Sequence, residues 1–275
     1  LREMSAATMG RLLRPARRAI GRQPRRMSAA TTGLKAQVPV RTWSEWAGVP
    51  PGSLQADLVL HCGETTEGFY LTTLTAVDVA TGWTELQAVW GMGKERVGSA
   101  IHHVRQRLPF AMRELHNDNG SEFLNYTLRN WCLKEKIGWT RGRSYQKNDQ
   151  AYVEQKNWLS VRRYVGYGRY TSKEAYQTLQ QLHSLLGLYG NFFRPVRKTI
   201  AKERRGSKTV KRYDRPLTPY QRVLAAGCLA EADREELASQ YLSLNPASLR
   251  RRIETTLRRL WPLASYNIQN EKRAG

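Results

Sequence analysis

Three runs between residues 54 and 90 decide the fold: LQADLVLHC (54–62), FYLTTLTAVDV (69–79) and WTELQAVW (83–90). Each is β-branched, aromatic or alternating, and the Gly63–Gly68 stretch and the turn ATG (80–82) separate them. That pattern predicts hairpin-linked strands, and three joined this way make an antiparallel meander. Downstream the period changes. KERVGSAIHHVRQR (94–107) spaces Val97, Ile101 and Val104 along one helical face. Ala111–His116 reads as a fourth strand ending at Asn117-Asp118-Asn119-Gly120, Ser121–Lys136 as a helix and Ile137–Thr140 as a short fifth strand. A polar loop, Arg141–Asn148, precedes a helix over 149–165 that Asp149 is placed to cap, and a further helix spans 171–190.

The order βββαβαβα predicts an α/β domain of the ribonuclease H-like kind, a mixed five-stranded sheet with flanking helices. Outward from it, residues 4–19 read as a helix capped by Ser5 with Met9, Leu12 and Leu13 as its apolar stripe. Residues 20–50, punctuated by Gly21, Pro24, Gly33, Pro39 and Pro50, read as an extended basic linker in which Val38 and Val40 suit a short edge strand. Beyond the core, KTVKRY (208–213) reads as a strand, and 219–230, 233–243 and 246–260 as helices, the last with a basic surface from Arg250 to Arg252 and from Arg258 to Arg259. The expected division is 1–19, 20–50, a core domain over 51–195, and a basic, mostly helical region over 196–275.

Charge sharpens this division. The 275 residues carry 45 Lys and Arg against 23 Asp and Glu, a formal net charge of +22 that calls for an anionic partner. Residues 1–41 hold 10 basic residues and one acid, and residues 194–222 hold 11 basic and 2 acidic. Residues 42–140 reverse the balance, with 8 basic and 11 acidic. An acidic island between basic arms suits metal-dependent phosphoryl transfer, because carboxylates repel a nucleic acid backbone unless divalent cations bridge them. The three cysteines, Cys62, Cys132 and Cys228, form no CxxC, which argues against a disulfide scaffold or a structural zinc. No run of about 18 apolar residues and no apolar leader core occurs, so neither a membrane span nor a secretory signal is expected. The chain opens on Leu1, as a piece of a longer protein would.

Three carboxylates carry the chemistry. Asp57 lies inside an apolar strand, where an ionised carboxylate costs several kcal/mol unless a cation or hydrogen bonds compensate it. Asp118 sits at a strand end and Glu154 one turn into a helix; strands one and four are neighbours in this fold, so all three can converge. Their text and spacing resemble the catalytic core of DDE transposases and retroviral integrases over about residues 50–190. QADLVLHC around Asp57, VDVATGWTE (77–85), LHNDNGSEF (115–123) and KNDQAYVEQKN (147–157) match family segments, and 35 residues separate Asp118 from Glu154, as in a well-known subset. Flanking likeness is to bacterial insertion-sequence transposases, with residues 1–19 similar to the end of a helix-turn-helix region. The five histidines and three cysteines form no HHCC set, so a retroviral-type zinc domain is not expected.

The resemblance implies two Mg²⁺ ions, or Mn²⁺, on Asp57, Asp118 and Glu154. It implies cleavage at a transposon end to expose a 3′-OH, followed by attack of that 3′-OH on target DNA. Partners would be double-stranded DNA and further copies of the chain, as a dimer or tetramer, in a prokaryotic cytoplasm near the nucleoid. DNA contacts are expected from the loop (Arg141, Arg143, Tyr145, Lys147, Asn148) and from the glutamate helix (Lys156, Asn157, Arg162, Arg163). A second set, Arg197, Lys198, Arg204, Arg205, Lys208, Lys211 and Arg212, suits phosphates without sequence preference. Trp158 and Val161 are expected in the core, and His61 and His116 in packing or support of the acids. The alternatives are a ribonuclease H-like nuclease that does not join ends and a transposase-derived DNA-binding protein without catalysis.

Overall fold

The computed structural model describes residues 5–13, 29–144, 146–206 and 208–265. The meander forms as expected: β1 (Ser53–Leu60), β2 (Thr72–Asp78) and β3 (Thr84–Val89) pair antiparallel. β4 (Glu114–Asn117) then lies parallel to β1, and β5 (Gly138–Arg141) parallel to β4, giving the order β3-β2-β1-β4-β5. This mixed sheet with flanking helices is the ribonuclease H-like architecture.

Every residue of β2 and β3 is buried, because helices cover both faces of the sheet. On one face Leu54, Ala56, Leu74 and Leu115 pack with Val97, Ile101 and Val104 of α3 (Lys94–Arg107) and Leu128 of α4 (Tyr126–Lys134). On the other, Val59, Leu71, Leu86 and Ala88 meet Leu179 and Leu182 of α6 (Lys173–Phe193). Side chains alternate across a strand, so Asp57 shares this second face with Gln55 and Val59. Crossing the same face is α5 (Ala151–Lys156), which continues through a π-helical stretch (Asn157–Arg162) into a last turn (Arg163–Val165).

The flanks depart from the expected boundaries. Residues 29–50 are not an extended linker: α2 (Ala29–Gln37) buries Leu34, and Val38 follows it into a cluster with Leu124, while Trp43–Trp46 forms a 3₁₀ turn that buries Trp46. Leu34 and Val38 stand four apart, so one helical turn puts both against the core. Val40 does bridge Arg141, in parallel, as an edge residue. α1 spans Ala6–Leu12 and Ser5 caps it, accepting from Thr8 N at 3.2 Å, yet Leu12 and Leu13 are exposed; the remainder of the expected 4–19 helix, apart from Leu13, lies outside the described residues. α4 starts only at Tyr126 because Asn125, accepting from Leu128 N at 2.9 Å, caps it there. In the tail, a hairpin of β6 (Thr199–Arg205) and β7 (Lys208–Tyr213) precedes α7 (Pro219–Ala225), α8 (Glu231–Ser243) and α9 (Pro246–Leu260). α9 inserts Leu249, Ile253, Leu257 and Leu260 into the same cluster as α6, so its apolar stripe completes the second layer. Among the described residues no helix is long and apolar enough to cross a membrane.

Candidate active site

The parallel register of β1 on β4 matches Gln55 with His116. Continued two residues, it sets Asp57 level with Asp118, just past the end of β4. Asp57 Oδ1 accepts from Leu58 N at 2.8 Å, and Oδ2 from Asn157 Nδ2 at 2.7 Å. Asp118 Oδ1 accepts from Gly120 N at 2.9 Å, closing a tight turn. At Gly120 a side chain would collide with Glu122, whose Oε1 lies 2.5 Å from where a Cβ would stand.

Gln55, fully buried, fixes the third acid. Its Nε2 donates to Asp149 O at 3.0 Å and its Oε1 accepts from Val153 N at 3.2 Å, so one amide pins the start of α5 to β1 one residue before Glu154. Asp149 does not cap this helix. It is buried in a 3₁₀ turn (Lys147–Gln150), where Arg143 forks onto both its oxygens at 2.9 Å and the amides of Arg143 and Trp43 donate at 3.0 and 3.2 Å. The loop is thereby tied to the foot of the glutamate helix.

Asp57 feels the charge of both other acids. Burial, then the charge of Asp118, pushes the Asp57 carboxyl up to about 6, against the Leu58 and Asn157 hydrogen bonds; Glu154 adds to the rise. Burial also raises Asp118 and Glu122, and Asp118 raises Glu122 further. A carboxylate destabilised by burial and by like charges is one that a divalent cation stabilises, and carboxylate oxygens are the donors that hard ions take. Among the described residues no three His, Cys, Asp or Glu side chains are gathered closely enough to hold a metal ion, and Glu154 is exposed. The acids share one region of the sheet without closing on a common point.

The expected DNA contacts divide. Arg143, Asn148, Arg163, Arg197, Arg204, Lys211 and Arg212 are exposed, though Arg143 is also held by Asp149. Tyr145 and the side chains of Lys147, Arg205 and Lys208 lie outside the described residues. Four others face inward. Asn157 serves Asp57. Arg141 donates Nε to Lys35 O and Val38 O and Nη1 to Asn119 Oδ1 at 3.2 Å. Arg162 holds Leu60 O at 2.7 Å and Gly166 O at 3.2 Å beneath the Tyr167 ring. Lys198 gives its ammonium to the carbonyls of Val79 and Ala80, and burial with Arg222 nearby lowers it to about 8. Lys156 is half-buried, lowered to about 8 by burial with Arg194 and Lys198 close by.

Trp158 is not core: it is 53% exposed, one turn beyond Glu154, whereas Val161 is fully buried. His116 supports the site's frame through Thr140 at 3.0 Å, which donates to Glu114 at 2.7 Å. His61 packs away from the acids against Thr73 at 2.7 Å, and Thr73 reaches His183 at 3.3 Å. Sequence reading missed what Gln55 does; its signal was a long amide in an apolar strand two residues before Asp57.

No family model matches this chain. An uncharacterized protein of Sinorhizobium fredii (strain NBRC 101917 / NGR234), y4rM, is 40% identical over 225 residues, 82% of this chain. The chain spans 63% of that relative's length. Among solved structures, the catalytic core domain of BIV integrase matches at TM-score 0.43 with 22% identity, over 64% of this chain and 95% of that one. A simian T-cell lymphotropic virus intasome in complex with a PP2A regulatory subunit matches at 0.43 with 15% identity, over 57% and 52%. These likenesses are loose, and the ribonuclease H-like fold of this chain rests on its own strand order and pairing directions.

Proposed function

We propose that this chain is a divalent-metal-dependent DNA transposase of the DDE type, cutting DNA at a transposon end and joining the 3′-OH to target DNA. One observation carries the reading: Asp57 on β1 feels the charge of Asp118, just past the end of the adjacent parallel strand β4, and that of Glu154. Asp57, Asp118 and Glu154 would hold Mg²⁺ or Mn²⁺, and a bound pair of ions would stabilise the attacking and leaving oxygens of phosphoryl transfer. Asn157 orients one oxygen of Asp57 and leaves the other facing the Leu58 amide. Gln55 holds the register of α5 against β1, and Arg143 with Asp149 braces the loop at its foot. The basic flanks supply attraction for DNA, and working on paired ends would call for a dimer or tetramer.

A second reading has one observation behind it. Glu122 is a fourth carboxyl group beside Asp118, which favours a ribonuclease H-like nuclease that cuts without joining. Incubation of supercoiled plasmid with the chain and with Asp118→Asn, with and without Mg²⁺ or Mn²⁺, decides between them. Ion-dependent joined products that vanish in the variant support the transposase. Cut but unjoined products support the nuclease, and products of equal yield in the variant would falsify both.

A further inference from the structure

The β6–β7 hairpin stands apart from both layers of the core. Residues 199–213 contain six Lys or Arg and one acid, Glu203. Every described side chain in the two strands is exposed, including the apolar Ile200, Val210 and Tyr213. Its root, by contrast, is firmly held. Lys198 N donates to Asp214 Oδ1 at 2.7 Å, Asp214 pairs with Arg222 at 2.7 Å, and Val196 and Leu217 exchange backbone hydrogen bonds at 2.9 and 3.2 Å. The Lys198 ammonium ties the same root to the β2–β3 turn. An anchored base thus carries an arm with no buried face.

The register of that arm is costly. Lys202 stands opposite Lys211, and Arg205 opposite Lys208. Like charges directly opposite destabilise a strand pair, and a two-stranded ribbon without an apolar face is marginal on its own. A polyanion taking up charge from both strands at once offsets both costs. Two strands about 4.8 Å apart, with side chains, match the roughly 12 Å major groove of B-DNA and exceed its roughly 6 Å minor groove.

We propose that the β6–β7 ribbon enters the major groove of duplex DNA, its exposed Arg204, Lys211 and Arg212 reaching the phosphates on either side. The identity of the polyanion as DNA rests on the function proposed above; the charge and register of the ribbon do not. Binding of the full chain to a fluorescein-labelled duplex of random sequence, in EDTA across a range of salt, tests it independently of the acids. The triple variant Arg204→Gln, Lys211→Gln, Arg212→Gln is expected to lose at least about tenfold in affinity near physiological salt, with a log–log salt slope shallower by about 2–3. Glu203→Gln is expected to bind about twofold tighter or better, a gain that misfolding cannot produce. The wild-type complex is expected to protect guanine N7, which lies in the major groove, from methylation, and the triple variant to lose that protection. Wild-type affinity in the triple variant, no gain in Glu203→Gln, or unprotected N7 in the wild-type complex overturns the proposal. A chain that binds through the ribbon yet never cuts would count against the acid site and leave the ribbon standing.

Discussion

The acid site and the basic ribbon solve opposite electrostatic problems. At the site, carboxylates are held inside the fold by specific donors: Asn157 and the Leu58 amide on Asp57, Gly120 N on Asp118. Asp57 and Asp118 are raised by burial, and the scaffold bears that cost. On the ribbon, Arg204, Lys211 and Arg212 are exposed to water, basic residues stand opposite one another across the strands, and the ties to the core gather at the root. The chemistry proposed for the acids needs precise placement, which a buried frame provides; the attraction proposed for the ribbon needs charge alone, which an exposed arm provides at little cost to the core.

The sharpest way to separate placement from stability is Glu154→Gln. Glu154 is exposed and its loss should leave the unfolding free energy within about 0.5 kcal/mol of wild type, while ion-dependent cutting falls on the order of 10³-fold. A comparable loss in both would show that Glu154 is structural. Next comes Gln55→Met, which leaves Val153 N and Asp149 O without their partner; urea unfolding should show about 2 kcal/mol of destabilisation, with cutting reduced because α5 is no longer pinned. Unchanged stability would mean that the amide pin is dispensable.

Asp57 offers a pH test of the same contrast. Its carboxyl titrates near 6 in the fold and near 4 when unfolded, so the folded state binds the extra proton in between. In EDTA, the Asp57 contribution to stability should therefore be greatest below about pH 4, fall as pH rises to about 6, and stay reduced above it. Asp57→Asn should abolish that step and be more stable than wild type by about 2 kcal/mol at pH 8, measured by denaturant titration in EDTA. An Asp57→Asn protein less stable than wild type there would contradict the burial argument. The smallest effect belongs to Trp158→Ala, which should alter stability by no more than about 0.5 kcal/mol because the ring is solvent-facing; a loss of several kcal/mol would return Trp158 to the core.

Local pattern carried much of this molecule. The β-branched runs at 54–62, 69–79 and 83–90 specified the meander, because a half-buried or buried strand writes its own composition. The apolar spacing of Val97, Ile101 and Val104 specified α3, and the unusual Asp57 in an apolar strand marked the candidate site. Tertiary structure decided what depends on partners distant in sequence. Gln55 reads as an ordinary strand residue until Val153, 98 positions away, donates to it. Asp149 reads as a helix cap until Arg143 and Trp43 converge on it, and Arg141, Arg162 and Lys198 read as DNA-facing until carbonyls of the fold claim them. Propensity and periodicity are short-range, whereas the pairing of a polar group is settled only when the chain brings its partner within hydrogen-bonding distance.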